Sequence, residues 1–575
     1  MRLALRTTAA AFAFLFCAGG QGAAATSTRS VMDALRRAML TRPVASIGWL
    51  HAVGNIDVVG IRGRMQEWDD VRGVRFTTDQ NAGALSGASG WDGKVAWSQD
   101  YAGLVTIDGG ETGRLQALDQ AYIDNLRYLR PDAGAATVVY AGRRNTGGKN
   151  YDVLALTPPH GSELDFWIDQ RTHLIDRIVT QIGIISITTT FSDYRRVDGI
   201  TYPFASVVEE SSGNGETIKI TSLDINQEVA DRMRVPGQNV HDFSVAGGST
   251  TVPVQIVNNH VYVQAMLGGR GPYTLILDSG GDYIVTPQVA QALQAKSSGG
   301  LQLQGVGNAT EGASFARLAS IAIGGAVVRS PYALVLPIAT GFGVAEGMRI
   351  DGMIGYQLLA RFLTTIDYAN AKLTLAAPTS APASAAGAAA IPFYISGMIP
   401  RIPIDVDGVA TTAEVDTGNR AGLELSSPFI AAHPAIGALA KTAPGVTGFG
   451  VGGPSTARLG RIPTLQIGPY AIANSIASFV VQSKGALADP FNPANIGGAI
   501  WRRFVVTFDY AHQQLWLTKG PAFDAPAPQD RSGLFLIDDD GAYTVISVLP
   551  GSPGAAANLV KGDIILSVNG GPASL

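Results

Sequence analysis

The fold is decided by two short stretches that repeat one pattern, LILDSG at residues 275–280 and AEVDTG at residues 413–418. In each stretch an extended apolar run ends at one aspartate in a predicted tight turn. A hydroxyl residue and a glycine directly follow the aspartate in the sequence. A single Asp-Ser/Thr-Gly carries little information, because composition alone supplies one in many chains of this length. Two of them, inside longer segments that match each other, indicate the two halves of one carboxylate pair, Asp278 and Asp416.

Such a pair has a defined chemistry. Two carboxyl groups brought to about 3 Å cannot both ionise, so they share a proton and titrate as a unit. The ionised member can act as general base on a water while the protonated member donates to a carbonyl oxygen. The alternative for each aspartate is an ordinary surface turn, where Asp and Gly are common. Apolar residues before both turns favour buried turns. A buried carboxyl pair of this kind can hydrolyse a peptide bond without a metal or cofactor.

The two stretches lie in an internal duplication of residues 250–378 and 391–519, joined by an Ala/Ser/Pro linker at residues 379–390. Each half continues beyond its aspartate with a strand and a helix start. Each also carries a later apolar-apolar-Gly segment, which ends at Gly355 in the first half and at Gly497 in the second. The chain therefore predicts two homologous β lobes with one aspartate each.

These paired segments resemble the retropepsin-like aspartic peptidases, with both halves fused in one chain. The resemblance implies that Asp278 and Asp416 are the catalytic pair of one bilobal unit. It also implies that the hydroxyls of Ser279 and Thr417 form hydrogen bonds across the lobe junction. Gly280 and Gly418 would leave room for close backbone approach, and the segments ending at Gly355 and Gly497 would buttress the turns from behind.

Two glycine-rich segments, 305–312 and 445–453, occupy the place of a substrate-covering hairpin in each lobe. Mobile hairpins suit a lid that opens for an extended peptide substrate, and plain glycine-rich loops are the alternative. The candidate flap or substrate residues are Gly307, Asn308, Gly448, Phe449 and Gly450. The last segment also fits Gly-x-Gly-x-x-Gly, but it does not open a helix in a strand-helix-strand unit, which argues against dinucleotide binding.

Residues 26–240 form a first unit, in which period-two stretches predict one curved antiparallel sheet and residues 30–40 and 115–129 predict helices. The phrases GWDGKVAW (90–97), FWID (166–169) and VDGITYP (197–203) resemble the half-barrel of periplasmic lipoprotein carriers. That resemblance implies a concave apolar face able to hold a lipid or acyl chain. The alternative is a sheet closed by its own helix, with nothing bound.

Residues 533–575 carry a strand, a Pro-Gly-rich turn and the phrase KGDIILSVNG (561–570). This arrangement resembles the PDZ fold as bacterial proteases carry it. The sequence ends at Leu575, before the helix and last strand that complete a peptide groove in that family, so a partial PDZ domain is expected.

Residues 1–25 read as a secretory signal, because two arginines precede a short apolar stretch and Ala23-Ala24-Ala25 ends it. The only cysteine, Cys17, lies inside this segment, which excludes cysteine catalysis and disulfides from the mature chain. A membrane anchor is disfavoured because the apolar stretch falls short of about 20 residues. We expect a periplasmic or secreted protein without stable membrane insertion.

The formal net charge is −4 and basic residues are not clustered, so nucleic acid is not an expected partner. The seven histidines show no metal-ligand spacing, and no Gly-x-Ser-x-Gly elbow supports a serine hydrolase. The sequence thus predicts a mainly β, monomeric aspartic endopeptidase acting on polypeptides, with no metal and no cofactor. The rival hypothesis is a non-catalytic periplasmic binding protein for an apolar ligand and peptides. Close approach of the two carboxyl groups would favour the enzyme.

Overall fold

The computed structural model describes residues 20–380, 387–526, 530–539 and 542–573. These residues form a mainly β structure, which confirms the predicted fold class. Most of the predicted signal, residues 1–19, and residues 381–386 of the predicted linker lie outside the described residues. Among the described helices, none is both long enough and apolar enough to cross a lipid bilayer.

The first unit is an antiparallel sheet packed against two helices, Gly20–Met39 and Glu111–Asp124. The first helix begins ten residues before the predicted start and runs across the predicted end of the signal. The second ends at Asp124, and a separate 3-10 turn, Arg127–Leu129, completes the predicted stretch. Its strands are Trp49–Val58, Ile61–Asp70, Arg75–Asn81, Gly87–Trp91, Ala96–Gln99, Val105–Asp108, Thr137–Thr146, Lys149–Thr157, Leu164–Asp169, Ile175–Ile182, Ile185–Val197, Ile200–Glu210 and Gly215–Ile225.

The inner face of this sheet is filled by the protein's own side chains. Met32, Leu35 and Met39 of the first helix are buried in one apolar cluster with Leu154 and Phe166 of the sheet. Burial of such side chains is worth about 1.5–3 kcal/mol each, so the helix is bound firmly to the sheet. This packing favours the alternative of a sheet closed by its own helix.

The two lobes repeat one topology. Lobe 1 contains the strands Phe243–Val245, Ser249–Pro253, Gln255–Val257, His260–Leu267, Arg270–Leu277, Ile284–Val285, Ser297–Gln304, Thr310–Arg317, Ser320–Ile323, Ala326–Arg329, Tyr332–Val335, Gly352–Ile354, Leu363–Asp367 and Lys372–Ala376. Lobe 2 contains Ala389–Pro392, Tyr394–Ser396, Ile399–Val406, Val409–Val415, Leu423–Leu425, Gly445–Gly450, Gly453–Ile467, Tyr470–Val480, Ala494–Ile496, Phe504–Asp509 and Gln514–Lys519. Short helices lie between these strands, at Pro287–Ala292, Val344–Glu346, Tyr356–Leu359, Ser427–Ala432, Pro434–Gly437 and Gly498–Trp501.

A shared six-stranded sheet joins the lobes. Leu363–Asp367 of lobe 1 pairs antiparallel with Phe504–Asp509 of lobe 2, and two further strands flank this pair on each side. One apolar core runs through both lobes and includes Leu277 and Val415, which directly precede the two aspartates. Because each aspartate follows a fully buried strand end, both turns are fixed by the common core.

The C-terminal segment forms the strands Leu534–Asp539, Ala542–Val548, Ile564–Ile565, Ser567–Val568 and Gly571–Pro572 and the short helix Pro553–Ala556. It packs against the lobes near the duplicated turns. The guanidinium of Arg420 lies 4.9 Å from the ring centroid of Phe535, a distance typical of a cation–π contact. The assignment of this segment to the PDZ fold stays a prediction.

Candidate active site

The two aspartates stand at equivalent points of the two lobes. Strand Arg270–Leu277 pairs parallel with Gly352–Ile354, and strand Val409–Val415 pairs in the same way with Ala494–Ile496. The backbone N–H of Asp278 donates to the carbonyl of Ile354 at 2.9 Å, and that of Asp416 donates to the carbonyl of Ile496 at 3.0 Å. The apolar-apolar-Gly segments therefore lie beside the turns as the resemblance implied.

Ser279 and Thr417 lock the two turns together. The Thr417 hydroxyl donates to the Leu277 carbonyl at 2.8 Å and accepts the Ser279 backbone N–H at 3.0 Å. Reciprocally, the Ser279 hydroxyl donates to the Val415 carbonyl at 2.6 Å and accepts the Thr417 backbone N–H at 3.0 Å. Both side chains are fully buried, so losing any of these four bonds leaves a buried polar group unpaired.

The carboxyl groups of Asp278 and Asp416 lie close together at this junction, each beside the glycine of the opposite turn. Each also accepts a backbone N–H from its own turn, from Gly280 at 2.8 Å and from Gly418 at 2.9 Å. A Cβ on Gly418 would stand 2.2 Å from Cγ of Asp278, and one on Gly280 would stand 3.0 Å from Cγ of Asp416. Glycine is needed here because of the space that the opposite carboxyl group occupies.

Burial, and next the charge of Asp416, raises the pKa of the Asp278 carboxyl well above its usual range. The Gly280 N–H acts in the opposite direction and is outweighed. A raised pKa means that the neutral form of Asp278 is favoured.

The two lobes differ in what supports the aspartates. The side-chain amide of Asn495 donates to Oδ2 of Asp416 at 2.7 Å, which stabilises a negative charge there. The strand register places Met353 of lobe 1 where lobe 2 has Asn495. Next to Asp278 this position therefore presents a thioether, which offers no N–H donor. Asn495 was not among the predicted site residues, although it is the one polar residue in the apolar segment that ends at Gly497.

Asn495 is itself held by a buried polar network. Its amide also contacts Glu414 at 3.1 Å, and Glu414 forms an ion pair with Arg401 at 2.9 Å. The Asn419 amide bridges Asn495 and Glu424, at 2.8 Å to each. Burial, and next the charge of Asp416, raises the pKa of Glu424 to about 7. The orientation of Asn495 is therefore fixed on both sides.

His260 braces the second turn from lobe 1. Its side chain is buried, with one ring nitrogen 3.1 Å from Glu346 and the other 2.9 Å from the carbonyl of Gly418. Arg420 pairs with the same glutamate at 3.2 Å. The spacing of the histidines in the sequence gives no indication of this contact across the lobes.

The glycine-rich segments form two hairpins whose tips bond to each other. The Gly307 N–H donates to the carbonyl of Val451 at 3.0 Å, and the Ala309 N–H donates to that of Gly452 at 3.1 Å. Val451 packs in an apolar cluster that also contains Met353, which lies on the strand beside Asp278. The second hairpin therefore reaches across to the lobe 1 side of the carboxyl pair.

The predicted flap residues are distributed over these hairpins. Gly448, Phe449 and Gly450 lie in strand Gly445–Gly450, and Asn308 is exposed at the tip of the first hairpin. A Cβ on Gly341 would stand 3.3 Å from the ring of Phe449. The Gly-x-Gly-x-x-Gly pattern falls in this hairpin and does not begin a helix.

Residues 263–358, which include the first aspartate turn, match the family model described as aspartyl protease. An aspartic proteinase from Irpex lacteus is 13% identical, with 49% of this chain and 100% of that chain covered at a TM-score of 0.34. A LolA superfamily protein from Nitrosomonas europaea is 10% identical, with 36% and 97% covered at a TM-score of 0.26. No curated protein matches the chain.

Proposed function

We propose that the protein is an aspartic endopeptidase in which Asp278 and Asp416 activate one water for attack on a peptide carbonyl. The observation that carries this proposal is the close approach of the two carboxyl groups at the lobe junction, each beside the glycine of the opposite turn. The match of lobe 1 to the aspartyl protease model supports it. The close carboxyl groups also favour an enzyme over the non-catalytic binding protein.

The asymmetry of the support assigns the two roles. Asp416, whose Oδ2 accepts the Asn495 amide, is the ionised group and takes a proton from the attacking water. Asp278, whose pKa is raised by burial and by Asp416, holds a proton and donates it to the carbonyl oxygen. The tetrahedral intermediate then collapses as the peptide nitrogen receives a proton and leaves.

The hairpins define how substrate would lie. Their tips join above the lobe junction by backbone bonds that a substrate would have to open or pass beneath. An extended peptide can bond to hairpin backbone groups, and this mode of recognition demands an unfolded or flexible polypeptide. Because both aspartates are in one chain, a monomer should be active, and we place it in the periplasm or outside the cell.

The test is cleavage of an unfolded casein by the purified full-length chain. The wild type should cleave it, and a peptide with a statine at the cleavage position should inhibit. Asp278→Asn and Asp416→Asn should each reduce the rate at least a hundredfold without loss of the folded state. Asp407→Asn is the matched control, because Asp407 is an exposed turn residue of lobe 2 with a φ of 51° that asparagine accepts. Cleavage retained in Asp416→Asn would reject the proposal.

A further inference from the structure

Three carboxyl groups converge inside the N-terminal unit, away from the catalytic pair. Glu67 and Asp69 stand two residues apart on strand Ile61–Asp70 and so project from the same face of the sheet. Asp124 is the last residue of helix Glu111–Asp124, which packs over that face. One oxygen from each of the three lies within 4.8 Å of the others.

Asp69 is the most unusual member of the group. Its side chain is 0% exposed, and neither of its carboxyl oxygens has a hydrogen-bond partner among the described residues. The charges nearest to it are the carboxyl groups of Glu67 and Asp124. A buried carboxylate without a partner is strongly unfavourable, and a bound cation is one way to stabilise it.

The other two carboxyl groups each keep an oxygen free for a ligand. Oε2 of Glu67 accepts a hydrogen bond from the Thr78 hydroxyl at 3.2 Å. Oδ2 of Asp124 accepts one from the Gln120 amide at 2.6 Å. The second oxygen of each carboxyl group accepts no hydrogen bond from the described residues. Both side chains are half-buried rather than fully buried.

Shared protons do not explain this spacing. Carboxyl groups that share a proton lie about 2.5–2.7 Å apart, and Asp69 makes no such bond. Oxygens that all lie within 4.8 Å of one another are close enough to bind one ion, because ligand oxygens stand about 2.3–2.6 Å from Ca²⁺.

We propose that Glu67, Asp69 and Asp124 form a Ca²⁺ site that fastens helix Glu111–Asp124 to the sheet. An all-oxygen set selects a hard cation, and three carboxylates favour Ca²⁺ over Mg²⁺, which usually binds one or two and keeps its waters. The helix follows the loop where Gly109 donates to the carbonyl of Ile395 in lobe 2 at 2.7 Å. The ion would thus fix the far end of this helix on the sheet, independently of peptide hydrolysis.

The experiment is calorimetric titration of the chelator-treated full-length chain with CaCl₂ and with MgCl₂, paired with thermal unfolding. We expect one Ca²⁺ per chain with a Kd below about 10⁻³ M, the range of extracellular sites. Ca²⁺ should raise the Tm, and Mg²⁺ should bind at least tenfold more weakly.

Asp69→Asn should weaken Ca²⁺ binding at least tenfold and abolish the rise in Tm. Because Asp69→Asn removes a buried unpaired charge, this variant should stay folded without the ion. Glu67→Gln, at a half-buried position, is a second variant in which Ca²⁺ binding is measured. Glu228→Gln, at an exposed position of the same unit, should behave as wild type. Absence of saturable Ca²⁺ binding in the wild type, equal affinity for Mg²⁺, or unchanged binding in both cluster variants would each overturn the site.

Discussion

Replacing Asn495 with methionine would give lobe 2 the residue that lobe 1 carries at the equivalent position. The substitution removes the 2.7 Å hydrogen bond from the Asn495 amide to Oδ2 of Asp416. A hydrogen bond to a charged group contributes about 1.5–3 kcal/mol, and one pKa unit corresponds to about 1.36 kcal/mol. The lower apparent pKa of the aspartate pair should therefore rise by about 1–2 units.

The sign follows from which protonation state the amide stabilises. Asn495 donates to the singly ionised pair, so its loss makes that state harder to reach, and the acidic limb of kcat/KM should move to higher pH. The assay is kcat/KM against pH on a fluorogenic peptide. Met353→Leu is the control, because it changes the matching position of lobe 1 without removing a donor, and its acidic limb should not move.

A folded Asn495→Met enzyme with the acidic limb of the wild type would refute the assignment of the negative charge to Asp416. A general loss of kcat without a shift of the limb would also refute it, because that result indicates structural damage only.

Three further predictions concern the same junction. Thr417→Val removes the hydroxyl that pairs two buried backbone groups, so its free energy of unfolding in urea should fall by about 2–5 kcal/mol. Thr417→Ser keeps the hydroxyl and should retain most of the wild-type stability. Gly418→Ala places a Cβ 2.2 Å from Cγ of Asp278 and should reduce kcat/KM more than tenfold, whereas Gly237→Ala, with nothing within 4 Å, should not. Glu424 has a folded-state pKa of about 7 against 4.5, so the folded state binds this proton more tightly. The free energy of unfolding should fall as pH rises between these values, by at most about 3 kcal/mol, and Glu424→Gln should remove that fall.

The lobes and the junction could be predicted because the duplication is local and repetitive. Each aspartate follows an apolar strand and precedes a hydroxyl residue and a glycine, so the turn can be recognised from consecutive residues. The apolar-apolar-Gly segments lie far away in sequence, yet their repetition in both lobes fixed their role. The structure pairs Ile354 and Ile496 with the two turns in the same register.

Strand Ile61–Asp70 cannot be predicted from apolar alternation, because its buried positions do not alternate as apolar residues. Met65 and Trp68 are buried, but so are Asp69 and Asp70, and buried carboxylates hide a strand from any reading based on apolar periodicity. The same strand carries two members of the proposed calcium site, and the third comes from a helix more than fifty positions later. Their proximity arises only when the sheet and helix are packed.

The residues that support the aspartate pair could not be predicted from the sequence either. Asn495 contacts Asp416 from the neighbouring strand, and His260 reaches Gly418 from the opposite lobe. A lone polar residue in an apolar segment gives no indication of its partner, because the partner is set by strand register and lobe packing.

The central claim is that Asp278 and Asp416 together direct one water onto a peptide carbonyl. Its most direct test is hydrolysis of a defined peptide in ¹⁸O-labelled water by the wild type, Asp278→Asn and Asp416→Asn. We expect the wild type to place one labelled oxygen in the new carboxyl group and both folded variants to yield no labelled product. Labelled product from either variant, at the rate of the wild type, would contradict the claim.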